Sequence, residues 1–281
     1  MPSVLITGAA RGIGYATARH LAAGGWDVIA GVRNEVDAAR LNSANPLFRP
    51  VILDVTNDDH IAALDKSLPE RLDAVINNAG VVVAGPMEAI TPAELRRQLD
   101  INVIGQLAVT QQVLPRLRQS KGRVVFISSL NGRIAFPLVG AYCASKFALE
   151  AAADALRLEL KPWGIAVVLI EPAQTDTDIW RTADTLLEEA AATMSDESRE
   201  LYGRHLQGLK KTIPTSQRTA RPPEKLAAVA EKALTARRPR ARYVVGFVPK
   251  GQVALVTNLP TAARDRLVLA INRQPRGLQK H

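Results

Sequence analysis

The chain has 281 residues, 47% hydrophobic and 22% charged, a composition that excludes disorder and fibrous repeats and suits one large α/β domain or two small ones. Its one cysteine, Cys143, excludes an intramolecular disulfide, and the scattered His20, His60, His205 and His281 have no metal-ligand spacing, so no metal is expected. The net charge of +9 is a C-terminal property: residues 204–281 hold 17 Lys+Arg against 3 Asp+Glu, and residues 1–203 hold 19 against 24. With only 4% aromatic residues to stack on bases, nucleic acid is not an expected partner.

Met1 to Gly8 has no basic leader and no apolar run approaches the roughly 18 residues that span a bilayer, so a cytoplasmic protein is expected. Short branched apolar runs at 4–6, 28–30, 51–53, 74–76, 124–127 and 166–170 read as buried strands. Between them, 13–23, 61–68, 94–117 and 141–160 carry helical spacing and are long enough for crossovers. The alternation predicts a doubly wound parallel α/β sheet of seven strands, a Rossmann fold. Residues 172–221 break the rhythm and predict a polar insertion with one or two irregular helices. A helix over 223–237, a strand over 243–246 and one amphipathic stretch over 251–271 follow, within a single domain of residues 1–281 whose C-terminal strand and helix occupy about 222–275.

Ligands bind beyond the carboxyl ends of such strands, and the polar residues collect there. The first strand enters Thr7-Gly8-Ala9-Ala10-Arg11-Gly12-Ile13-Gly14, a candidate phosphate cradle in which glycines permit close backbone approach and a helix N-terminus supplies free amides. The fourth ends in Asn77-Asn78-Ala79-Gly80 and the fifth in Ser128-Ser129. Tyr142 and Lys146, four apart on a predicted helix, share one face, where an ammonium favours a phenolate and a nearby serine can hold the substrate oxygen. Where a dinucleotide fold places an acid on the adenosine 2′-hydroxyl, this chain has Val32 followed by Arg33, and Arg11 lies in the facing loop. That pattern predicts NADP(H) over NAD(H), with Glu35 and Asp37 as the acids that could oppose it and NAD(H) still possible.

Together these motifs resemble the short-chain dehydrogenase/reductase family over residues 3 to about 178, and most of all its members acting on apolar alcohols and ketones such as steroids or retinoids. The resemblance implies hydroxyl–carbonyl interconversion, with Tyr142 as general acid/base and Ser129 orienting the reacting oxygen. Lys146 would lower the tyrosine pKa and bind the nicotinamide ribose, and Asn102 would hold a proton-relay water. It also implies Asp54 and Val55 at the adenine, Asn78 and Gly80 at the ribose, and Pro172, Thr175 and Thr177 at the nicotinamide. Glu171-Pro172-Ala173 departs from the family's Pro-Gly and adds a methyl group there. Trp180, Met194, Leu201 and Tyr202 fall in the segment that closes over substrate. A homo-oligomer, dimer or tetramer, is expected. The Arg237–Arg242 run reads as a solvated loop, Cys143 as core filler, and the basic C-terminal stretch as a candidate for weak membrane-surface association. Two alternatives stand beside the enzyme: a dinucleotide-binding regulator without turnover, and a nucleic-acid-binding protein using the basic C-terminus.

Overall fold

In the computed structural model, which describes residues 1–45, 47–177, 181–246, 250–275 and 277, seven strands form one parallel sheet in the order β3-β2-β1-β4-β5-β6-β7. They are β1 (Ser3–Ile6), β2 (Asp27–Val32), β3 (Phe48–Ile52), β4 (Ala74–Asn77), β5 (Arg123–Ile127), β6 (Ala166–Pro172) and β7 (Arg242–Val245). Side chains alternate between two cores. Val4 and Ile6 join one built with α1 (Gly12–Ala23), α2 (Glu35–Ala44) and α10 (Pro223–Thr235), while Leu5 joins the other, built with α3 (Asp58–Ser67), α5 (Gly105–Ser120) and α6 (Gly140–Glu159). Because both faces are covered, β1 is buried throughout, which is why its sequence reads as a continuous apolar run.

Several elements differ from the sequence expectation, each for a local reason. Helix α2 was not anticipated: it buries only Ala38 and Leu41, too thin a stripe to stand out, and begins because Asn34 caps it. The segment expected as one helix over 94–117 is α4 (Pro92–Leu99), one π-helical turn (Asp100–Ile104), and α5. At the join a Cβ on Gly105 would lie 2.9 Å from Val55 Cβ, so the backbone itself packs there. The insertion holds three described helices, α7 (Ala183–Thr193), α8 (Asp196–Lys210) and α9 (Ile213–Thr219), where one or two were expected. The C-terminal amphipathic stretch breaks at Pro260 into α11 (Lys250–Thr257) and α12 (Thr261–Ile271). Among the described residues no helix is long and apolar enough to cross a membrane.

The arginine run before β7 is also corrected in part. Arg237, Arg238 and Arg240 are exposed as expected, but Arg242 points inward onto Glu150, Asp154 and Glu171. Nothing in the run itself distinguishes Arg242; the first residue of β7 simply lands beside buried acids of α6 and β6.

Candidate active site

The strand order reverses direction between β1 and β4, opening a crevice at their carboxyl ends. Thr7 closes its floor by accepting hydrogen bonds on Oγ1 from the amides of Asn78 and Ala79, both 2.9 Å. Asn78 Nδ2 donates to Thr7 O (2.9 Å) and Gly8 O (3.1 Å), so both its amide hydrogens hold the glycine loop. Gly8 and Gly12 have φ of +65° and +57°, a region that side chains resist. A Cβ on Gly14 would collide with Gly8 O and stand 2.5 Å from Asn78 Nδ2. Behind Gly12 and Ile13, α1 starts from an extended Arg11 with no side-chain cap bond, leaving its first amides directed at the crevice.

At the far end of the crevice, β2 finishes on buried Val32 and exposed Arg33. Glu35 and Asp37 lie in the first turn of α2, with Asn34 accepting from the Asp37 amide at 2.8 Å. Arg40 pairs with Asp37 at 2.9 Å and donates to Ala10 O in the glycine loop at 2.6 Å. Arg40 was missed in the sequence; its i,i+3 relation to Asp37 was the available signal, and only the placement of α2 brings it to the loop. Asp54 accepts from the amide (2.9 Å) and hydroxyl (2.8 Å) of Thr56. Burial pushes its carboxyl up, but the Thr56 bonds, Arg33 and His60 outweigh this and hold it below the usual range. Val55 is buried beneath Gly105.

The chemistry-bearing side chains converge from three elements. Ser129 follows β5 and caps a short 3-10 turn, accepting from the Asn131 amide at 3.1 Å. Tyr142 and Lys146 share a face of α6, and Ser129 lies close enough to the phenol to lower its pKa. Burial outweighs this and pushes the phenol up to about 12, with Cys143 also raising it. Lys146 Nζ donates to Ile127 O at 2.8 Å and lies 5.7 Å from the Tyr142 ring centroid. The ammonium is thus tethered to the carbonyl at the end of β5 while standing beside the phenol ring. Burial pulls Lys146 itself down to about 8, against the attraction of Glu150.

Asn102 lies in the π-helical turn, where the widened backbone swings its side chain onto the loop after β4. It accepts from Val81 N (2.9 Å) and donates to Val81 O (3.0 Å) and Ser145 Oγ (3.1 Å). Gly80 fits because a Cβ there would already stand 3.3 Å from Asn102 Oδ1. Ser145, not singled out from the sequence, passes the connection on by donating to Tyr142 O at 2.7 Å.

Pro172 ends β6; Thr175 is buried and donates to Ala173 O at 3.3 Å, and Thr177 donates to Thr175 O at 3.4 Å. Thr177 also faces Gly12, where a Cβ would meet its Cγ2 at 3.5 Å, so the two phosphate-side segments meet. The Ala173 methyl group lies against Gly246 just past β7, at φ +153°, a position that has no room for a side chain of its own. Of the substrate-segment residues, Met194 is buried, Leu201 points outward, and Tyr202 lies near Glu88, whose carboxylate helps raise its phenol pKa; Trp180 lies outside the described residues. Cys143 is core filler, accepting weak bonds from Asn131 Nδ2 (3.5 Å) and Phe136 N (3.4 Å).

Residues 2–187 match the model of the family described as short chain dehydrogenase. The NADPH-dependent 3-dehydrocapnine reductase of Ornithobacterium rhinotracheale is 35% identical over 259 residues, 87% of this chain and 88% of that protein. Retinol dehydrogenase 16 of Rattus norvegicus is 33% identical over 283 residues, covering 97% and 89%. Among solved structures, a short-chain dehydrogenase from Streptomyces avermitilis superposes with a TM-score of 0.72 at 27% identity, covering 97% of this chain and 95% of that one.

Proposed function

This chain belongs to the short chain dehydrogenase family and is an NAD(P)-dependent oxidoreductase acting on CH–OH groups; from that premise we propose that it is an NADP(H)-preferring carbonyl reductase for apolar ketones or retinoid-like carbonyls, with Tyr142 as its proton donor. The observation that carries this is the convergence of Ser129, Tyr142 and Lys146 beside a glycine cradle that side chains would fill. The cradle fits a pyrophosphate: Gly8, Gly12 and Gly14 keep the loop bare, and α1 presents its amides there, flanked by Pro172, Thr175 and Thr177. Its adenosine end suits a 2′-phosphate, since exposed Arg33 follows β2 where an acid would repel one and Asp37 is paired with Arg40, with Arg11 of the glycine loop as a second candidate cation. The bound nicotinamide supplies or accepts the hydride.

The protein's own part is orientation and proton transfer. Ser129 holds the substrate oxygen, and Tyr142 donates a proton to it as the carbonyl becomes an alkoxide. With its phenol pushed up to about 12, Tyr142 is protonated at neutral pH and can act as the proton donor. Lys146, charged below about pH 8, steadies the developing phenolate and binds the ribose. Asn102 anchors the Gly80–Val81 turn and Ser145, so its support of a relay water is through the oxygen, both amide hydrogens being committed. The insertion at about 172–221 covers the substrate within a single domain. A panel of aliphatic, aromatic, steroid and retinoid ketones and alcohols, assayed at 340 nm with NADPH and NADH, tests this. Reduction of apolar carbonyls with NADPH is expected; turnover only with polar substrates, or equal use of low NADH, contradicts it.

A further inference from the structure

Glu150 lies one helical turn beyond Lys146 on the same face of α6 and is 5% exposed. Its Oε2 accepts from Arg242 Nε at 2.9 Å. Glu171 of β6, fully buried, places Oε1 3.1 Å from the same Nε and 3.4 Å from Arg133 Nη1. Arg242 Nη2 continues to Asp154 at 2.7 Å. Two buried glutamates thus share one guanidinium, and Glu150 Oε1 and Glu171 Oε2 are left without hydrogen-bond partners. Burial and the neighbouring Glu150 push the Glu171 carboxyl above the usual range, against Arg133 and Arg242.

The turn after β5 closes directly over this pair. A Cβ on Gly132 would stand 2.9 Å from Glu150 Cγ, 3.0 Å from Ser128 Oγ and 3.1 Å from Lys146 O, so the turn needs glycine to seat there. Glu150 favours the Lys146 ammonium against burial. A buried cation without such a partner loses its proton. We propose that Glu150 is a positioning residue for the reaction: held by Arg242 of the last strand, it keeps the Lys146 side chain charged and in place behind Tyr142. This rests on the assignment of Lys146 and Tyr142 above.

Glu150→Gln keeps the shape and removes the charge. Two readouts follow the Lys146 proton: kcat against pH for NADPH-driven reduction of the most active ketone of the panel, and urea unfolding against pH, which needs neither cofactor nor substrate. In the wild type, kcat is expected to fall and stability to rise as pH climbs past about 8. In Glu150→Gln both transitions are expected at least half a pH unit lower, with kcat changed more than the KM for NADPH. Glu171→Gln, the control for disturbance of the cluster, leaves both in place. Glu150→Asp, which keeps the charge but withdraws it, moves them less, and decides the matter if Glu150→Gln does not fold. Profiles of the folded Glu150 variants that superpose on the wild type overturn the proposal. Full turnover by Lys146→Met would instead sink the underlying assignment, whatever the Glu150 variants do.

Discussion

Lys146→Met isolates the energetic cost of keeping an ammonium inside the sheet edge. Lys146 is 4% exposed, and burial draws its pKa from 10.5 to about 8, with Glu150 opposing. An amine whose folded pKa lies below its unfolded value binds fewer protons when folded, so stability is lowest below about pH 8 and recovers as pH rises toward 10.5. At about 1.4 kcal/mol per pH unit the gap amounts to about 3 kcal/mol. Some 2 kcal/mol of it, roughly, falls between pH 7.5 and 9.5. Methionine keeps the length of the side chain and removes the proton. Urea unfolding of both proteins, followed by tryptophan fluorescence, gives the difference in unfolding free energy at each pH. Loss of the bond to Ile127 O shifts that difference by a constant and leaves its pH dependence intact. The wild type should gain about 2 kcal/mol on the variant between pH 7.5 and 9.5. A difference that stays flat across this range refutes the claim that the ammonium is buried at a cost.

Three further outcomes are expected. Tyr142→Phe keeps the ring and removes the proton carrier, so turnover should fall more than tenfold, a loss above about 1.4 kcal/mol, with NADPH binding by fluorescence titration unchanged. Val32→Asp with Arg33→Ala should move the kcat/KM ratio toward NADH by tenfold or more, since Asp37 is already paired with Arg40 and cannot compensate in the wild type; an unchanged ratio would sink the phosphate assignment. Gly14→Ala drives a methyl group into Gly8 O and Asn78 Nδ2, so it should cost about 1–3 kcal/mol of overpacking strain and weaken NADPH binding, read by thermal melts with and without cofactor.

The strands and the polar residues at their ends were legible in the sequence because burial on both faces demands unbroken apolar runs, and chemistry at strand ends uses residue types that do not occur there by packing alone. Gly8, Gly14, Asn78, Ser129, Tyr142 and Lys146 were named on that basis, and the fold brings them around one crevice. Helix α2, the π-helical turn and the third helix of the insertion were not legible, because their short or thin apolar stripes are weak local signals. Arg40, Ser145 and Glu150 were missed for another reason: each acts through a contact between segments distant in the chain. The same holds for Ala173, whose methyl group lies against Gly246, a neighbour that the sequence pattern did not indicate. Arg242 is the clearest case, a solvated arginine by composition and a half-buried clamp on two buried glutamates in the folded chain. The pattern of apolar periods and strand-end residues thus determined the sheet and the kind of chemistry by itself. Protonation states, ion-pair partners and the room around each glycine depend on burial and on distances of a few ångströms between remote residues, and only the tertiary structure sets those.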